Sequence, residues 1–179
     1  MGTSLGEILP QSAREHGDRV ALIVDSQRLS FRDLDALSNR IANGLVAAGV
    51  QPGDRVSLFG PNSWQWLISY YGIVKTGAVV NPLSSMLTPD EVRYAVNDTG
   101  ASAVIASPDK GELLRGLKAD GGRFNLVLWD DAPVAGATLL REWLDGASPE
   151  FTTRPRLPGD LAAICYTSGT TGRPKGVLM

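Results

Sequence analysis

The sequence predicts an α/β fold with a mostly parallel sheet and helices on both of its faces. Stretches of helical period alternate with short, nearly continuous apolar runs from Ser30 to Tyr166. Parallel strands need crossover connections, and the helices in those connections bury both faces of the sheet. Several helical stretches also open on capping residues, so the alternation marks separate elements.

Taken in order, Ser4 and Glu7 form a capping-box pattern ahead of Leu5, Ile8 and Leu9, and His16-Gly17 closes this first helix. Val20 to Val24 and Arg28 to Phe31 flank Asp25-Ser26-Gln27 and read as a hairpin. Ser30 caps a second helix with Asp33 at N3, and Leu34, Leu37, Ile41, Leu45 and Ala48 keep one apolar stripe until Gly49. After the turn Gln51 to Asp54, Arg55 to Phe59 reads as a buried strand. Asn62-Ser63 then caps a helix with Trp64, Leu67, Ile68 and Tyr71 on one face.

Ala78 to Asn81 supplies the next strand. Thr88-Pro89-Asp90-Glu91 combines an N-cap, proline at N1 and an acid at N3, opening a helix that runs to Gly100. Ala101 to Ala106 is a strand, Lys110 to Lys118 a helix, Phe124 to Trp129 a strand, Thr138 to Leu144 a short helix and Leu161 to Tyr166 an apolar strand. Gly146 to Gly159 holds three prolines without periodicity and reads as a surface loop.

With 179 residues the chain suits one domain, able to bury about 70% of the surface its unfolded form exposes. Lysine and arginine number 17 against 19 aspartates and glutamates, a net charge of -2 without charge runs, which argues against nucleic acid and anionic membranes as partners. Cys165 is the single cysteine, so no internal disulfide forms, and one histidine gives no zinc set. The first residues lack the pattern of a secretory signal, Gly6 breaks a myristoylation motif, and no apolar run nears the ~20 residues that span a bilayer. The expectation is a cytoplasmic protein without a transmembrane segment; homo-oligomerisation is left open.

Chemistry concentrates in Tyr166 to Val177, YTSGTTGRPKGV. Gly169, Gly172 and Gly176 allow positive φ and close approach of backbone N–H groups to a ligand. Thr167, Ser168, Thr170 and Thr171 offer hydroxyl donors, and Lys175 offers a point charge, together an anion nest. The spacing is not that of a Walker A loop: counting from Gly169, Pro174 occupies the second glycine position, and counting from Gly172, Val177 does. Nor is the dinucleotide-binding order of glycines present. A plain Gly/Ser/Thr-rich hairpin loop is the alternative from composition.

This segment resembles the signature loop of the adenylate-forming superfamily, which comprises acyl- and aryl-CoA synthetases, luciferases and the adenylation domains of peptide synthetases. Arg14 to Leu22, Leu29 to Phe31, Gly53 to Val56, Pro61 to Ser63, Lys75 to Val80 and Leu87 to Glu91 are similar to family stretches and follow the family's order. Gly169 to Gly172 and Asn81-Pro82 resemble acyl-CoA synthetases more than peptide synthetases.

The resemblance implies attack of a carboxylate on the α-phosphate of Mg-ATP, giving an acyl-adenylate and pyrophosphate, and then displacement of AMP by the thiol of CoA. It implies that Thr167, Ser168, Gly169, Thr170, Thr171, Gly172 and Lys175 surround the ATP phosphates, with Lys175 neutralising charge on pyrophosphate and Arg173 in a variable slot. It further implies that residues 1–179 are the front of the larger N-terminal domain, with the magnesium and ribose ligands, most of the acid pocket and the catalytic lysine beyond Met179. On that expectation no catalytic residue lies in the chain, its metal ligands are unassigned, and the 179 residues alone are inactive. A short, non-catalytic nucleotide- or partner-binding protein is the other reading. His16 is expected at the surface, Cys165 as a buried packing residue, and Trp64, Trp66, Tyr70 and Tyr71 as packing groups.

Overall fold

The computed structural model describes residues 4–129, 134–167 and 174–179. Helix α1 (Leu5–His16) is followed by strands β1 (Val20–Val24) and β2 (Gln27–Ser30). The capping box expected at Ser4 does not form: its side chain makes no cap bond, because the Glu7 N–H is taken by the Ser4 carbonyl at 3.0 Å. Pro10 lies inside α1 and has no N–H for the Gly6 carbonyl. The hydroxyl of Thr153 donates to that carbonyl at 3.4 Å, so a distant segment meets a local deficit. The hairpin turn is one residue shorter than expected, since Val24 pairs with Gln27. Asp25 takes φ 52° there, a left-handed conformation that aspartate tolerates in tight turns.

Helix α2 (Phe31–Ala47) opens on the expected capping box. The Asp33 N–H donates to Ser30 Oγ at 3.1 Å, and the Asp33 carboxylate accepts from the Ser30 hydroxyl and N–H at 2.7 and 2.9 Å. These bonds, the hydroxyl's first, hold the Asp33 carboxyl below its ordinary 3.8. A depressed folded-state value means that this stabilisation is complete above about pH 4 and is lost as pH falls through the lowered value. Ser30→Ala should therefore cost about 1 kcal/mol at neutral pH. Urea unfolding at pH 7 and at pH 3 checks both the cost and its decline in acid.

The main sheet is built from β3 (Arg55–Phe59), β4 (Val79–Leu83), β5 (Ala103–Ala106), β6 (Asn125–Leu128) and β7 (Ala137–Leu139). Its order is β4-β3-β5-β6-β7, and every neighbouring pair is parallel, as the sequence predicts. Between these strands run α3 (Trp64–Lys75), α4 (Pro89–Thr99) and α5 (Gly111–Ala119); α6 (Leu140–Gly146) follows β7. On one face α2, α3 and α6 bring Ile41, Leu45, Ile68, Ile73 and Leu140 onto Val56, Leu58 and Ile105. On the other, α4 and α5 bring Val92, Ala95, Leu114 and Leu117 onto Phe59, Val104 and Leu126. Gly72 permits the close crossing of α2 and α3, because a Cβ there would stand 2.6 Å from Ile41 Cβ.

Three further sequence expectations change. The helix predicted from Thr138 begins at Leu140, because residues 137–139 pair with Leu126 to Leu128 as β7. The helix predicted from Lys110 starts at Gly111, after a 3-10 turn over Pro108–Lys110. The fully buried face of α3 is Ile68, Ser69, Gly72, Ile73, Val74 and Lys75; Trp64, Leu67 and Tyr71 pack at its margin.

Lys75 is 0% exposed. Its ammonium reaches Asp35 Oδ1 at 2.6 Å, Ser38 Oγ at 2.7 Å and Asn39 Oδ1 at 2.7 Å, all on α2. The irregular segment after α6 is a strap held by the same helix. Asn39 donates to the Pro149 carbonyl at 2.8 Å, Asn43 to those of Ser148 and Glu150 at 2.9 Å, and Arg40 to that of Ala147. Side-chain amides thus take the place of a sheet partner and return the chain to the β4 edge. Among the described residues no helix is long and apolar enough to cross a membrane.

Candidate functional site

The strap delivers the chain to β8 (Ile164–Thr167), which pairs antiparallel with β9 (Lys175–Leu178). Just before β8, Ala163 forms a parallel bridge with Val80, and the Val80 N–H donates to the Ala162 carbonyl at 3.0 Å. Because β8 runs alongside β4 from that point, Thr167 arrives at the carboxyl edge of the sheet. Open α/β sheets hold their ligands at that edge. In the hairpin register Thr167 stands opposite Lys175, and both side chains are exposed. A hydroxyl and an ammonium therefore face solvent together at the hairpin mouth.

Of the residues expected to surround phosphate, Thr167 and Lys175 are thus brought together. Ser168, Gly169, Thr170, Thr171 and Gly172 lie outside the described residues, as does Arg173. Gly176 serves a different purpose from the one expected. It is a strand residue without positive φ, and a Cβ on it would come 3.3 Å from Tyr166 Cζ and 3.1 Å from Ile164 Cγ2. Its small size lets the Tyr166 ring lie against β9.

Alternation along β8 sends neighbouring side chains to opposite faces. Cys165 packs, half-buried rather than fully buried, against the cluster that holds Tyr70 and Tyr71. Burial raises the Tyr70 phenol above its ordinary value, with smaller contributions from Tyr71 and Cys165. Tyr166 turns to the α4 side, where its hydroxyl donates to Asp98 Oδ2 at 2.5 Å and its ring meets Tyr94 edge-on at 6.3 Å. Tyr166 also lines a cavity of about 470 Å³ with Trp66, the loop leaving β3 at Gly60 to Asn62, and the end of β4 with the residues after it, Pro82 to Ser85. His16 ends α1 with its ring 4.9 Å from Phe31.

Sequence reasoning missed a second polar group at the same edge. Ser107 Oγ donates to Asp109 Oδ1 at 2.5 Å, Lys110 Nζ lies 3.0 Å from the Asp109 carboxylate, and it sits 5.3 Å from the Phe59 ring centroid. The Ser107 bond is the chief cause holding the Asp109 carboxyl low. Ser107-Pro108-Asp109, a serine before proline and an acid, was the local signal. Among the described residues no three His, Cys, Asp or Glu side chains gather as a metal set.

The AMP-binding enzyme family matches residues 9–179. The chain belongs to that family. Among its relatives, feruloyl-CoA synthase of an Amycolatopsis species is 38% identical over 151 residues, covering 84% of this chain and 28% of the relative. The long-chain-fatty-acid–CoA ligase FadD13 of Mycobacterium tuberculosis is 35% identical over 152 residues, 84% of this chain and 29% of its own length. Tyrocidine synthase 1 of Brevibacillus parabrevis is 28% identical over 178 residues, 99% of this chain and 15% of the synthase. Of solved structures, ATP-bound MatB from Rhodopseudomonas palustris superposes with a TM-score of 0.84 at 33% identity, over 100% of this chain and 35% of that one. The chain thus spans less than a third of the length of these curated relatives. The AMP-binding fold accounts for the parallel sheet.

Proposed function

We propose that this AMP-binding protein activates a carboxylic acid for transfer to CoA. The acid's carboxylate attacks the α-phosphorus of ATP, the bond to the bridging oxygen breaks, and pyrophosphate leaves; the thiol of CoA then displaces AMP to form a thioester. The observation that carries this reading is the exposed Thr167–Lys175 pair at the carboxyl edge, at the base of the segment with the family signature. Phosphoryl-transfer catalysis depends chiefly on positioning and on neutralising charge, and a hydroxyl beside an ammonium can supply both. Thr167, Ser168, Gly169, Thr170, Thr171, Gly172 and Lys175 are the residues we assign to the ATP phosphates. ATP comes as its magnesium complex, and Mg2+ screens charge on the same oxygens.

We assign the 179 residues to the first part of the AMP-binding domain, since the relatives run to more than three times the matched length. Because the reaction draws on ATP and CoA, a cytoplasmic enzyme is the companion of this reading. The test is carboxylate-dependent ATP–pyrophosphate exchange by the product of the complete reading frame, with fatty, aryl and amino acids, followed by a search for the CoA thioester. Exchange with a fatty or aryl acid and a CoA thioester supports the proposal. Exchange with amino acids and no thioester moves the protein to the peptide-synthetase branch. The 179-residue chain by itself is expected to show negligible exchange.

A further inference from the structure

Asp98 breaks a local rule. It lies in the last turn of α4, where a carboxylate meets the negative end of the helix dipole, and α4 has no basic residue in that turn to offset it. Residues that contradict local preference often answer to something outside their own element. Here that is Tyr166, whose hydroxyl bonds to Asp98 across 68 residues of sequence. Burial first, and the Asp98 carboxylate next, push the Tyr166 phenol well up, so it stays protonated and donating.

Asp98 stands on a rigid support. The Thr99 hydroxyl donates to the Ala95 carbonyl at 2.8 Å, while Arg55 from β3 donates to the carbonyls of Thr99 and Gly100 at 2.6 and 3.2 Å. The helix end is thereby tied to an inner strand of the sheet, β3, which has a partner on each side. The β8–β9 hairpin meets that sheet at the Val80–Ala163 bridge, the end farthest from Thr167. Its other end carries the exposed Thr167–Lys175 pair, and the neighbouring residue, Tyr166, holds it to α4.

We propose that Asp98 is a positioning residue that acts through Tyr166, holding the Thr167–Lys175 pair where both groups face the phosphate oxygens of the nucleotide. The proposal rests on the acid-activating reading above. It is tested with Asp98→Ala, Asp98→Asn and Tyr166→Phe in the product of the complete reading frame. Arg93→Ala serves as the control, removing an exposed ion pair with Asp120 from the same helix.

Asp98→Ala and Tyr166→Phe should raise KM for ATP and the Kd for inorganic pyrophosphate about tenfold, with KM for the acid changed less than twofold. Asp98→Asn should recover most of the loss, because an amide oxygen still accepts the phenol's hydrogen bond, and Arg93→Ala should change none of these constants. Hydrogen exchange of the β8 and β9 amides should quicken about tenfold in the two disrupting variants while β5 stays protected. Unchanged KM for ATP and unchanged pyrophosphate affinity in both overturn the proposal; so does faster hydrogen exchange with both constants intact, which is a purely structural tether. If the wild-type protein exchanges with no acid, the acid-activating reading fails by itself. Pyrophosphate affinity then decides: a tenfold loss in Asp98→Ala supports positioning of an anion site, and equal affinity, or no wild-type binding, overturns it.

Discussion

Lys175→Ala is expected to slow carboxylate-dependent ATP–pyrophosphate exchange by about 10²–10³-fold, the loss of roughly 3–4 kcal/mol that follows removal of one preorganised electrostatic donor. The size of the effect comes from geometry. Lys175 opens β9, and its pairing with Thr167 fixes the backbone from which the ammonium reaches out, so the charge starts from a defined place on the hairpin. The side chain is exposed, and its removal should change stability by no more than about 0.5 kcal/mol. Catalysis and folding are thus separable in this variant. Lys175→Arg keeps the charge but replaces a compact ammonium with a broad planar fork, and recovery should be partial. An exchange rate for Lys175→Ala equal to that of wild type, measured beside an unaltered melting temperature, would remove Lys175 from the phosphate site.

Thr167 and Lys175, the pair we assign to phosphate, stand out in the sequence because their residue types lie along one contiguous segment. The caps at Ser30, Ser63 and Thr88 were legible for a similar reason: each bond spans three residues and needs no knowledge of the rest of the fold. What was hidden depends on partners far along the chain. Asp98 reads locally only as an acid at the unfavourable end of a helix, and its partner Tyr166 lies 68 residues away. β7 has three residues, too few to show a period, and exists because β6 offers it an open edge. The Gly6 carbonyl, orphaned by Pro10, finds its donor 147 residues later. The strap reads as a loop because its carbonyls from Ala147 to Glu150 are held by α2 side chains, which leave no periodic trace.

Lys75 is the sharpest instance, and it carries the largest stability effect. At the C-terminal end of α3 a lysine suits the helix dipole and would ordinarily reach into water. Instead the chain before β4 turns it inward, and four oxygens of α2, the Asp35 carbonyl among them, surround the ammonium. Lys75→Ala should cost about 3–5 kcal/mol, the range for removing one partner of a buried charged network. Lys75→Met keeps the volume and introduces no charge. Asp35, with 22% of its side chain exposed, can turn to water, and the main loss is the Asn39 carbonyl left unpartnered, about 1–3 kcal/mol.

The two variants separate packing from charge, and pH separates them again. Burial pushes the Lys75 ammonium below its ordinary 10.5, while Asp35 pulls it part of the way back. Between the lowered value and 10.5 the unfolded chain holds more protons than the folded one, so this group makes stability rise with pH across that window. The tyrosines Tyr70 and Tyr166, whose phenols are raised, act in the opposite sense above pH 10. The quantity to measure is therefore the difference in unfolding free energy between wild type and Lys75→Met from pH 7 to pH 10. That difference should grow in favour of wild type as the pH climbs. A flat difference would mean that the α2 oxygens cancel the burial of the charge in full. Exchange activity per folded molecule should be unchanged in Lys75→Met, because Lys75 precedes the amino end of β4 and Thr167 stands at the carboxyl edge.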